Sequence, residues 1–431
     1  MQILIKNIDE IYTGKNGKTI KNGYLIIDEH KISKIGNMHD FQRDKFNFDR
    51  VINGEGKIAL PGFINTHTHA AMTLLRGYAD DMPLDSWLKD KIWPFEASLN
   101  KNDIYWGTML AIIEMLQTGT TSFADMYFEM DIVAKAVKET GMRAVLSQGL
   151  IEANDGEEGL NKAIEFCNNW NCKAEGRITT MLAPHAPYTC SDSYFKKIIL
   201  QSEKHNLPIN IHVAETKNEY ESILQKHKIS PVKYLNKMGL FNRPVLAAHC
   251  VYLEQDDMDI LSQNDIGVAY NPASNMKLGS GIAPVNNLYQ LNINIGFGTD
   301  GVASNNNLDL IEEARLGSYL QKVISNDPTV LNTHNILEML TLRGAKALRL
   351  NDAGLLEEGY LADLVLIDIL ESPHFYPGHN YLSNLFYAGN GNDVKFVFVN
   401  GKLLYENGKL LTIDKDKVYY HINKIIKQKN L

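Results

Sequence analysis

Short apolar runs alternate with longer helical stretches through the middle of the chain, and this alternation constrains the fold more than any other feature. Such a pattern is typical of parallel βα units. Eight runs qualify as strands: GFINTH, TTSFADM, RAVLSQGLI, ITTMLAP, PINIHVAE, VLAAHC, GVAYNP and INIGFGTD. Eight strand–helix units predict an α/β fold, the (β/α)8 TIM-like barrel. An open doubly wound sheet is the alternative, but the chain has no Walker loop to support it.

The two ends of the chain have a different, β-rich texture. Short β-rich segments occur near the start, MQILIKN and GYLIID, and again near the end, YLADLVLIDI and DVKFVFVNGKLLYENGKLL. NG dipeptides stand where tight hairpin turns are expected. We therefore predict a small β-sandwich domain built from both chain ends. The predicted domains are residues 1–56 (N-terminal part of the sandwich), 57–354 (the barrel) and 355–431 (C-terminal part of the sandwich).

Charge and hydropathy limit the kinds of molecule that the protein is expected to bind. The formal net charge of −8 argues against a basic surface for nucleic acid or an anionic membrane. The N-terminus lacks the apolar stretch of a signal peptide, and nowhere do about 18 apolar residues run together. We therefore expect a cytoplasmic protein that acts on a small molecule.

The cysteines carry no sign of a disulfide framework. They are Cys167, Cys172, Cys190 and Cys250, and no CxxC pair occurs among them. Their spacing fits no structural zinc pattern either. We interpret them as reduced thiols.

The segment PGFINTHTHA, residues 61–70, places His67 and His69 one residue apart at the end of a predicted strand. Because strand side chains alternate between faces, both imidazoles would point the same way and could share one metal ion. Polar residues also alternate on a solvated strand, so the pair alone leaves both interpretations open.

Polar side chains also follow three later strands: His212 and Glu215 in NIHVAET, His249 in LAAHCVY and Asp300 in GFGTDGV. Strand ends of a barrel converge at one mouth, where active sites lie. Singly, each residue also suits a core histidine, a solvated charge or a turn. Together they favour one site, in which three neutral imidazoles and a carboxylate suit Zn²⁺, with Fe²⁺ or Mn²⁺ chemically possible. A coordinated water with its pKa lowered toward ~7 would be the nucleophile.

The motifs PGFINTHTHAAMTLLRGYADD, HVAET, AHC, GTDGVASNNNLDL and GYLADLVLID resemble the amidohydrolase superfamily. They are most similar to its methylthioadenosine/S-adenosylhomocysteine deaminase branch, over nearly the whole chain and in the same order. The resemblance implies one divalent metal ion held by His67, His69, His212 and Asp300. Binuclear relatives carry a carbamylated lysine on strand 4, whereas ITTMLAPHAPYT contains His185 and no lysine, which favours a single ion.

The same resemblance implies roles in catalysis. Glu215 would shuttle protons to the ring nitrogen and the leaving ammonia, His249 would orient and polarise the water, and Asp300 would accept its proton. The implied reaction is hydrolytic deamination of methylthioadenosine, 5'-deoxyadenosine, adenosine or S-adenosylhomocysteine to the inosine analogue. Attack at C6 pushes electrons to N1, which then needs a proton donor. The cytidine-deaminase signature H-x-E with P-C-x-x-C is absent.

Substrate contacts are also implied by resemblance. Glu96, at the end of the long loop DMPLDSWLKDKIWPFE, would bind ribose hydroxyls, Trp87 would line the pocket, and His185 would contact the substrate, as would Glu215 and Asp300. Core packing for Trp87 and a helix N-terminal charge for Glu96 are the structural alternatives. Relatives often carry two arginines for the homocysteine carboxylate. Here Gln148 and, about a dozen residues later, Leu160 stand in their places, and glutamine supplies no charge.

Two other functions stay open from the sequence. The ring could be that of guanine, 8-oxoguanine, cytosine, aminodeoxyfutalosine or a triazine, although Glu96 and Trp87 favour a ribosyl substrate. A catalytically silent metal-binding scaffold would be expected to lose Glu215 or Asp300, and both are present. The resemblance also implies a homo-oligomer.

Overall fold

Two β-sheets organise the chain. The computed structural model describes residues 1–15, 17–42, 47–83 and 86–429. Within these ranges, strands β1–β17 are numbered in chain order. The first five and the last four strands form one mixed sheet, and the eight between them form a parallel sheet.

The mixed sheet joins the two chain ends, as predicted. Its strands follow the order β17-β16-β15-β14-β5-β1-β2-β3, and β4 pairs with β1. The strands are β1 (Gln2–Tyr12), β2 (Thr19–Asp28), β3 (Lys31–Asn37), β4 (Arg50–Asn53), β5 (Lys57–Pro61), β14 (Leu364–Asp368), β15 (Val394–Val399), β16 (Lys402–Glu406) and β17 (Lys409–Leu410). Residues from both ends, such as Ile5 and Phe398, share a separate apolar core. The domain limits at 56/57 and 354/355 stay predictions.

The parallel sheet is the predicted barrel. Its strands, neighbours in chain order, are β6 (Phe63–Thr68), β7 (Thr120–Tyr127), β8 (Arg143–Leu150), β9 (Ile178–Pro184), β10 (Ile209–Val213), β11 (Val245–His249), β12 (Ile266–Tyr270) and β13 (Asn294–Phe297). All eight predicted runs became strands. The first and last strands meet where Thr66 Oγ1 donates to the Phe297 carbonyl at 2.9 Å. Strands buried on both faces explain why the runs read as continuously apolar.

Helices follow the barrel strands and complete the predicted (β/α)8 fold, and two further helices lie in the C-terminal part of the described chain. The helices are α1 (Trp93–Glu96), α2 (Lys101–Gln117), α3 (Met130–Thr140), α4 (Glu152–Trp170), α5 (Asp192–His205), α6 (Lys217–His227), α7 (Pro231–Lys237), α8 (Gln255–Gln263), α9 (Pro272–Lys277), α10 (Val285–Gln290), α11 (Val302–Asn305), α12 (Leu310–Ser325), α13 (Thr333–Leu340), α14 (Leu342–Ala347), α15 (Tyr381–Tyr387) and α16 (Lys415–Gln428). Among the described residues, none of these helices is long and apolar enough to span a bilayer.

Short helical turns complete the structure. They are the 3₁₀ segments Met38–Asp40, Ala70–Leu75, Leu240–Asn242, Pro373–Phe375 and Gly391–Asp393, and a π-helical segment, Trp87–Ile92. The four cysteines are free thiols, as predicted, and only Cys172 of the four is exposed.

A buried ion pair fastens the barrel to the mixed sheet. Arg143, the first residue of β8, donates to Asp363 Oδ2 at 2.6 Å through Nε and to Oδ1 at 3.2 Å through Nη2. The same Nη2 donates to Asn400 Oδ1 at 3.2 Å, and the Asn400 amide donates to Asp363 Oδ1 at 2.6 Å. All three residues are buried. The two sheets are therefore joined by a buried ion pair that is fully hydrogen-bonded on the Asp363 side.

We expect Arg143→Met to destabilise the protein by about 3–5 kcal/mol, because it leaves the Asp363 carboxylate buried without its partner. Denaturant unfolding measures this change. The control is Lys197→Met, which removes an exposed pair with Glu157 at 2.9 Å and should change stability by at most about 0.5 kcal/mol. Equal effects of the two substitutions would contradict a structural role for the buried pair.

Candidate active site

The C-terminal ends of three barrel strands bring the predicted histidines together. His67 lies in β6 with His69 just beyond it, His212 lies in β10, and His249 ends β11. The ring centroid of His67 is 4.9 Å from those of His69 and His212. It is 5.5 Å from that of His249. Four imidazoles from distant parts of the sequence therefore share one buried space.

Asp300 completes the cluster from the loop after β13. Its Oδ1 lies 3.5 Å from His67 Nε2 and 3.3 Å from His69 Nε2. Two ligand atoms at ~2.1 Å from a tetrahedral ion are roughly 3.4 Å apart, so this spacing suits donors to one ion. The other carboxylate oxygen, Oδ2, accepts from Ser274 Oγ at 2.6 Å and Ser304 Oγ at 3.1 Å. The two serine hydroxyls thus fix the orientation of the Asp300 carboxylate and leave Oδ1 facing the histidines.

The surroundings of His67 show whether these residues could hold a cation. Its ring is fully buried, and neither ring nitrogen has a hydrogen-bond partner among the described residues. Burial lowers the pKa of His67 to about 4, so the imidazole is neutral at neutral pH. An unpartnered buried polar group is costly, and a neutral imidazole nitrogen is a common metal ligand. The donor set around His67 therefore fits a divalent metal ion.

Backbone carbonyls orient two of the other imidazoles. His69 Nδ1 donates to the Met126 carbonyl at 2.6 Å, and His212 Nδ1 donates to the His185 carbonyl at 2.7 Å. A carbonyl can only accept, so the Nδ1 atom of each ring carries a proton and Nε2 is the nitrogen left to face the cluster. This arrangement is the usual support of metal-binding histidines.

Three chain segments turn sharply where the strands end. Ala214, His249 and Asp300 have φ values of +51°, +73° and +60°. The left-handed region is uncommon for residues other than glycine, and such residues cluster at functional sites. Gly298 is also required here, because a Cβ at that position would lie 2.9 Å from the His67 amide nitrogen. The turned backbone lets side chains at strand ends face one another.

Glu215 and His249 adjoin the cluster. Glu215 Oε2 lies 3.8 Å from His249 Nε2. Burial raises the pKa of Glu215 to about 8 and lowers that of His249 to about 4. Burial also opposes ionisation of Asp300, but the imidazoles of His67 and His69 hold the pKa of Asp300 well below its ordinary value. The site thus holds one carboxylate that is ionised and one carboxyl that can donate a proton.

A cavity of about 450 Å³ opens above the cluster. The predicted substrate contacts Trp87, Glu96, Gln148 and His185 all line it, together with Glu215 and Asp300. Glu96 Oε1 accepts a hydrogen bond from Tyr127 OH at 2.7 Å. Among the described lining residues there is no lysine or arginine. The described wall therefore offers no lysine or arginine to pair with an anionic group of a bound molecule.

The prediction of a long loop before Glu96 is wrong for most of the segment DMPLDSWLKDKIWPFE. Residues 87–92 form a π-helical turn that continues into α1, so both Trp87 and Glu96 lie on helical backbone. The Trp87 indole donates to the Ala79 carbonyl at 2.9 Å, which fixes the ring against the cavity wall. Leu84 and Asp85 of this segment lie outside the described residues.

Leu160 does not occupy the position expected from its spacing to Gln148. It is buried in the main apolar core and does not line the cavity, whereas Asn154 does. Gly156, with φ +51° and ψ −140°, interrupts the helical backbone of α4 between these two residues. Counting residues along the chain could not account for this bend.

Several site residues were missed from the sequence. Tyr127 holds Glu96, while Asn271 and Asn275 place their Nδ2 atoms 3.3 Å and 2.9 Å from His249 Nδ1. Tyr127 ends strand β7, so its position at a strand end was a usable signal. The two asparagines follow β12 in NPASN, at the same edge of the barrel.

The fold and the site together define a barrel protein with a buried metal-binding cluster of the hydrolase type. Residues 58–404 match the amidohydrolase family. The chain belongs to the amidohydrolase family, and the resemblance stated from its motifs is confirmed. Family and donor set agree on a divalent metal ion.

Relatives with known names cover the whole chain. It is 58% identical to the 5-methylthioadenosine/S-adenosylhomocysteine deaminase of Halothermothrix orenii, over 100% of both chains. The protein of that name from Desulforamulus reducens is 51% identical over 94% of this chain and 93% of its own. A zinc-bound adenosine deaminase from Xanthomonas campestris superposes with a TM-score of 0.95 at 32% identity, covering 99% of this chain and 98% of its own.

We expect His67→Ala to weaken metal binding by at least ~100-fold, because the substitution removes the imidazole common to both candidate ligand sets. Elemental analysis after dialysis against a metal buffer measures the bound ion. His379→Ala, which changes an exposed histidine, is the control and should retain the metal. Full metal content in the His67 variant would place the ion elsewhere.

Proposed function

We propose that this protein hydrolyses the 6-amino group of 5'-modified adenosines, releasing ammonia and the inosine analogue. 5-Methylthioadenosine, 5'-deoxyadenosine and adenosine are the proposed substrates. The proposal is supported by the 58% identical relative named as a deaminase of this kind. The observation that carries it is the position of Glu215, whose carboxyl shares the cavity with the histidine cluster and lies 3.8 Å from His249 Nε2.

We assign the metal as a single zinc ion held by His67, His69, His212 and Asp300. Three imidazoles and one carboxylate suit zinc, and the neighbour from Xanthomonas campestris contains it. When bound, zinc supplies Lewis acidity that lowers the pKa of water toward ~7. Elemental analysis of the protein purified without added metal tests this assignment.

The chain's own groups move the protons. Asp300, held ionised, accepts the proton of the attacking water. His249 hydrogen-bonds the attacking oxygen and directs it toward C6 of the ring. Glu215 donates its proton to N1 as electrons move there from C6. The amino group then leaves as ammonia after taking a proton from Asp300. As the C–N bond breaks, the C6 hydroxyl returns its proton to Glu215 and becomes the C6 carbonyl, and N1 keeps its proton in the inosine product.

The nucleoside lies along the cavity wall. Glu96 Oε1 is occupied by the Tyr127 hydroxyl, so Oε2 is the oxygen that accepts hydrogen bonds from the ribose hydroxyls. Trp87 packs against the nucleoside, and its indole nitrogen is already satisfied by Ala79. His185 contacts the base beside His212.

We expect Glu215→Gln to lower kcat by ~100- to 10,000-fold, since glutamine can neither give a proton to N1 nor take one back. Metal content should be unchanged because Glu215 is not a ligand. Ammonia release from 5-methylthioadenosine measures the rate. Glu221→Gln, on the exposed face of α6, is the control and should keep full activity. Turnover that survives in the Glu215 variant would exclude its role as the proton donor.

S-adenosylhomocysteine is the poorest of the candidate substrates in this proposal. Its amino-acid carboxylate requires a positive partner when it leaves water. The described cavity wall has no lysine or arginine, and it includes Gln148, at the place where the resemblance implies that relatives often carry arginine. Three carboxyl groups, those of Glu96, Glu215 and Asp300, line the cavity instead.

We expect kcat/KM for S-adenosylhomocysteine to be at least ~10-fold below that for 5-methylthioadenosine, the value of one missing charged hydrogen bond. Gln148→Arg should narrow the ratio by supplying the cation. Gln148→Met, of similar length without charge, is the matched control and should leave the ratio unchanged. A wild-type preference for S-adenosylhomocysteine would overturn this substrate order.

The assembly and location of the protein belong to the same proposal. We propose a homo-oligomer and a cytoplasmic location. Light scattering of the purified protein and cell fractionation test the two statements.

A further inference from the structure

Glu219 is a buried carboxylate outside the cavity. It stands in the first turn of α6, four residues after Glu215, and only 6% of its surface is exposed. It does not line the cavity, and no step of the proposed reaction uses it. A carboxyl group this deeply buried requires hydrogen-bond partners that compensate its lost hydration.

The partners of Glu219 are the backbone amides that carry Glu215. Glu219 Oε1 accepts from the Ala214 amide at 2.9 Å, and Oε2 accepts from the Glu215 amide at 2.8 Å. Thr216 caps the helix by accepting at Oγ1 from the Glu219 amide at 3.2 Å. One carboxyl group therefore accepts hydrogen bonds from two consecutive backbone amides between the end of β10 and the start of α6.

Those peptide units need support. Ala214 has a φ of +51°, a conformation that costs an alanine roughly 1–2 kcal/mol. Its carbonyl accepts from the amides of Val251 and Tyr252, both at 3.0 Å. Glu219 thus holds the N–H group of Ala214, and the loop that follows β11 (the β11 loop) holds its carbonyl group. The turn redirects the chain after the strand, and its direction decides where the Glu215 carboxyl lies.

We propose that Glu219 is a positioning residue for the deamination, holding the Ala214–Glu215 turn so that the Glu215 carboxyl stands beside His249 and the ring nitrogen. The inference rests on the proposed function, because it acts through the proton transfer assigned to Glu215. It concerns only the chain's own residues and needs no contact between Glu219 and the substrate.

The test is Glu219→Gln in the metal-loaded protein. The amide NH₂ of glutamine would face one of the two backbone N–H groups, so one bond is replaced by a donor–donor contact. We expect kcat for 5-methylthioadenosine to fall by ~10- to 100-fold, the effect of a catalytic group displaced by about 1 Å. KM should stay within about threefold and metal content should be unchanged, because the substrate contacts and ligands are intact.

The matched control is Asp257→Asn, which alters a similar buried carboxylate on α8. Asp257 accepts from the Ser230 hydroxyl and from the Glu254 amide at 2.9 Å, and it does not line the cavity. This variant should lose stability but keep kcat. The positioning role would be overturned if kcat fell in both variants and the size of each fall followed the decrease in that variant's thermal unfolding temperature.

A double variant separates positioning from general damage. If Glu219 acts through Glu215, adding Glu219→Gln to Glu215→Gln should change the residual kcat by less than about twofold, whereas independent effects would multiply. A multiplicative loss overturns the inference. Should Glu219→Gln fail to fold, Glu219→Asp serves instead: it keeps the carboxyl group but is too short to reach both amides. We expect Glu219→Asp also to lower kcat, and wild-type kcat in that variant overturns the inference.

The two proposals fail in different ways. No ammonia release from any 5'-modified adenosine by the metal-loaded wild-type protein overturns the proposed function and the positioning role with it. Full activity of Glu215→Gln removes the assigned proton donor and the positioning role but leaves the deamination in place. Wild-type kcat in a folded Glu219→Gln protein, together with an inactive Glu215→Gln protein, overturns only the positioning role.

Discussion

One backbone hydrogen bond, from the Asp300 amide to the His67 carbonyl at 2.9 Å, links the architecture to the site. It joins the loop after the last barrel strand to the first strand, so the contact that nearly closes the barrel also sets the separation of two proposed metal ligands. The approach is possible only because Gly298 has no side chain. The Asp300 carboxylate is then fixed by two serines from α9 and α11. The metal-binding geometry is therefore a consequence of barrel closure.

Burial gives the neighbouring groups different protonation states. It keeps the imidazoles of His67 and His249 neutral, which leaves their nitrogen atoms able to bind a metal or a hydrogen-bond partner. It raises the pKa of the Glu215 carboxyl, while adjacent imidazoles keep Asp300 ionised. A bound cation would draw the pKa of Glu215 back down, because positive charge favours the carboxylate. The site can thus hold a proton donor and a proton acceptor in one desolvated space.

Much of the fold and the metal cluster could be predicted because both follow local rules. Strands buried on both faces are apolar throughout, and polar residues at their carboxyl ends must meet at the barrel mouth. His67, His212, His249 and Asp300 are all found there. The segment 87–96 was predicted as a loop because its mixed polarity has no clear period. Leu160 was misplaced because sequence spacing does not reveal the bend at Gly156.

The sequence by itself determined the strand–helix order, the family and the residues proposed to hold the metal, since apolar runs and motifs are local in the chain. Only the tertiary structure decided which polar groups support them. In the sequence Glu219 is an ordinary acidic residue of a charged helix, and Tyr127 an aromatic at a strand end. Their hydrogen bonds to the Ala214 and Glu215 amides and to Glu96 depend on where the backbone turns after each strand. Those turns are fixed by contacts between elements far apart in the chain, as between the Ala214 carbonyl and the β11 loop.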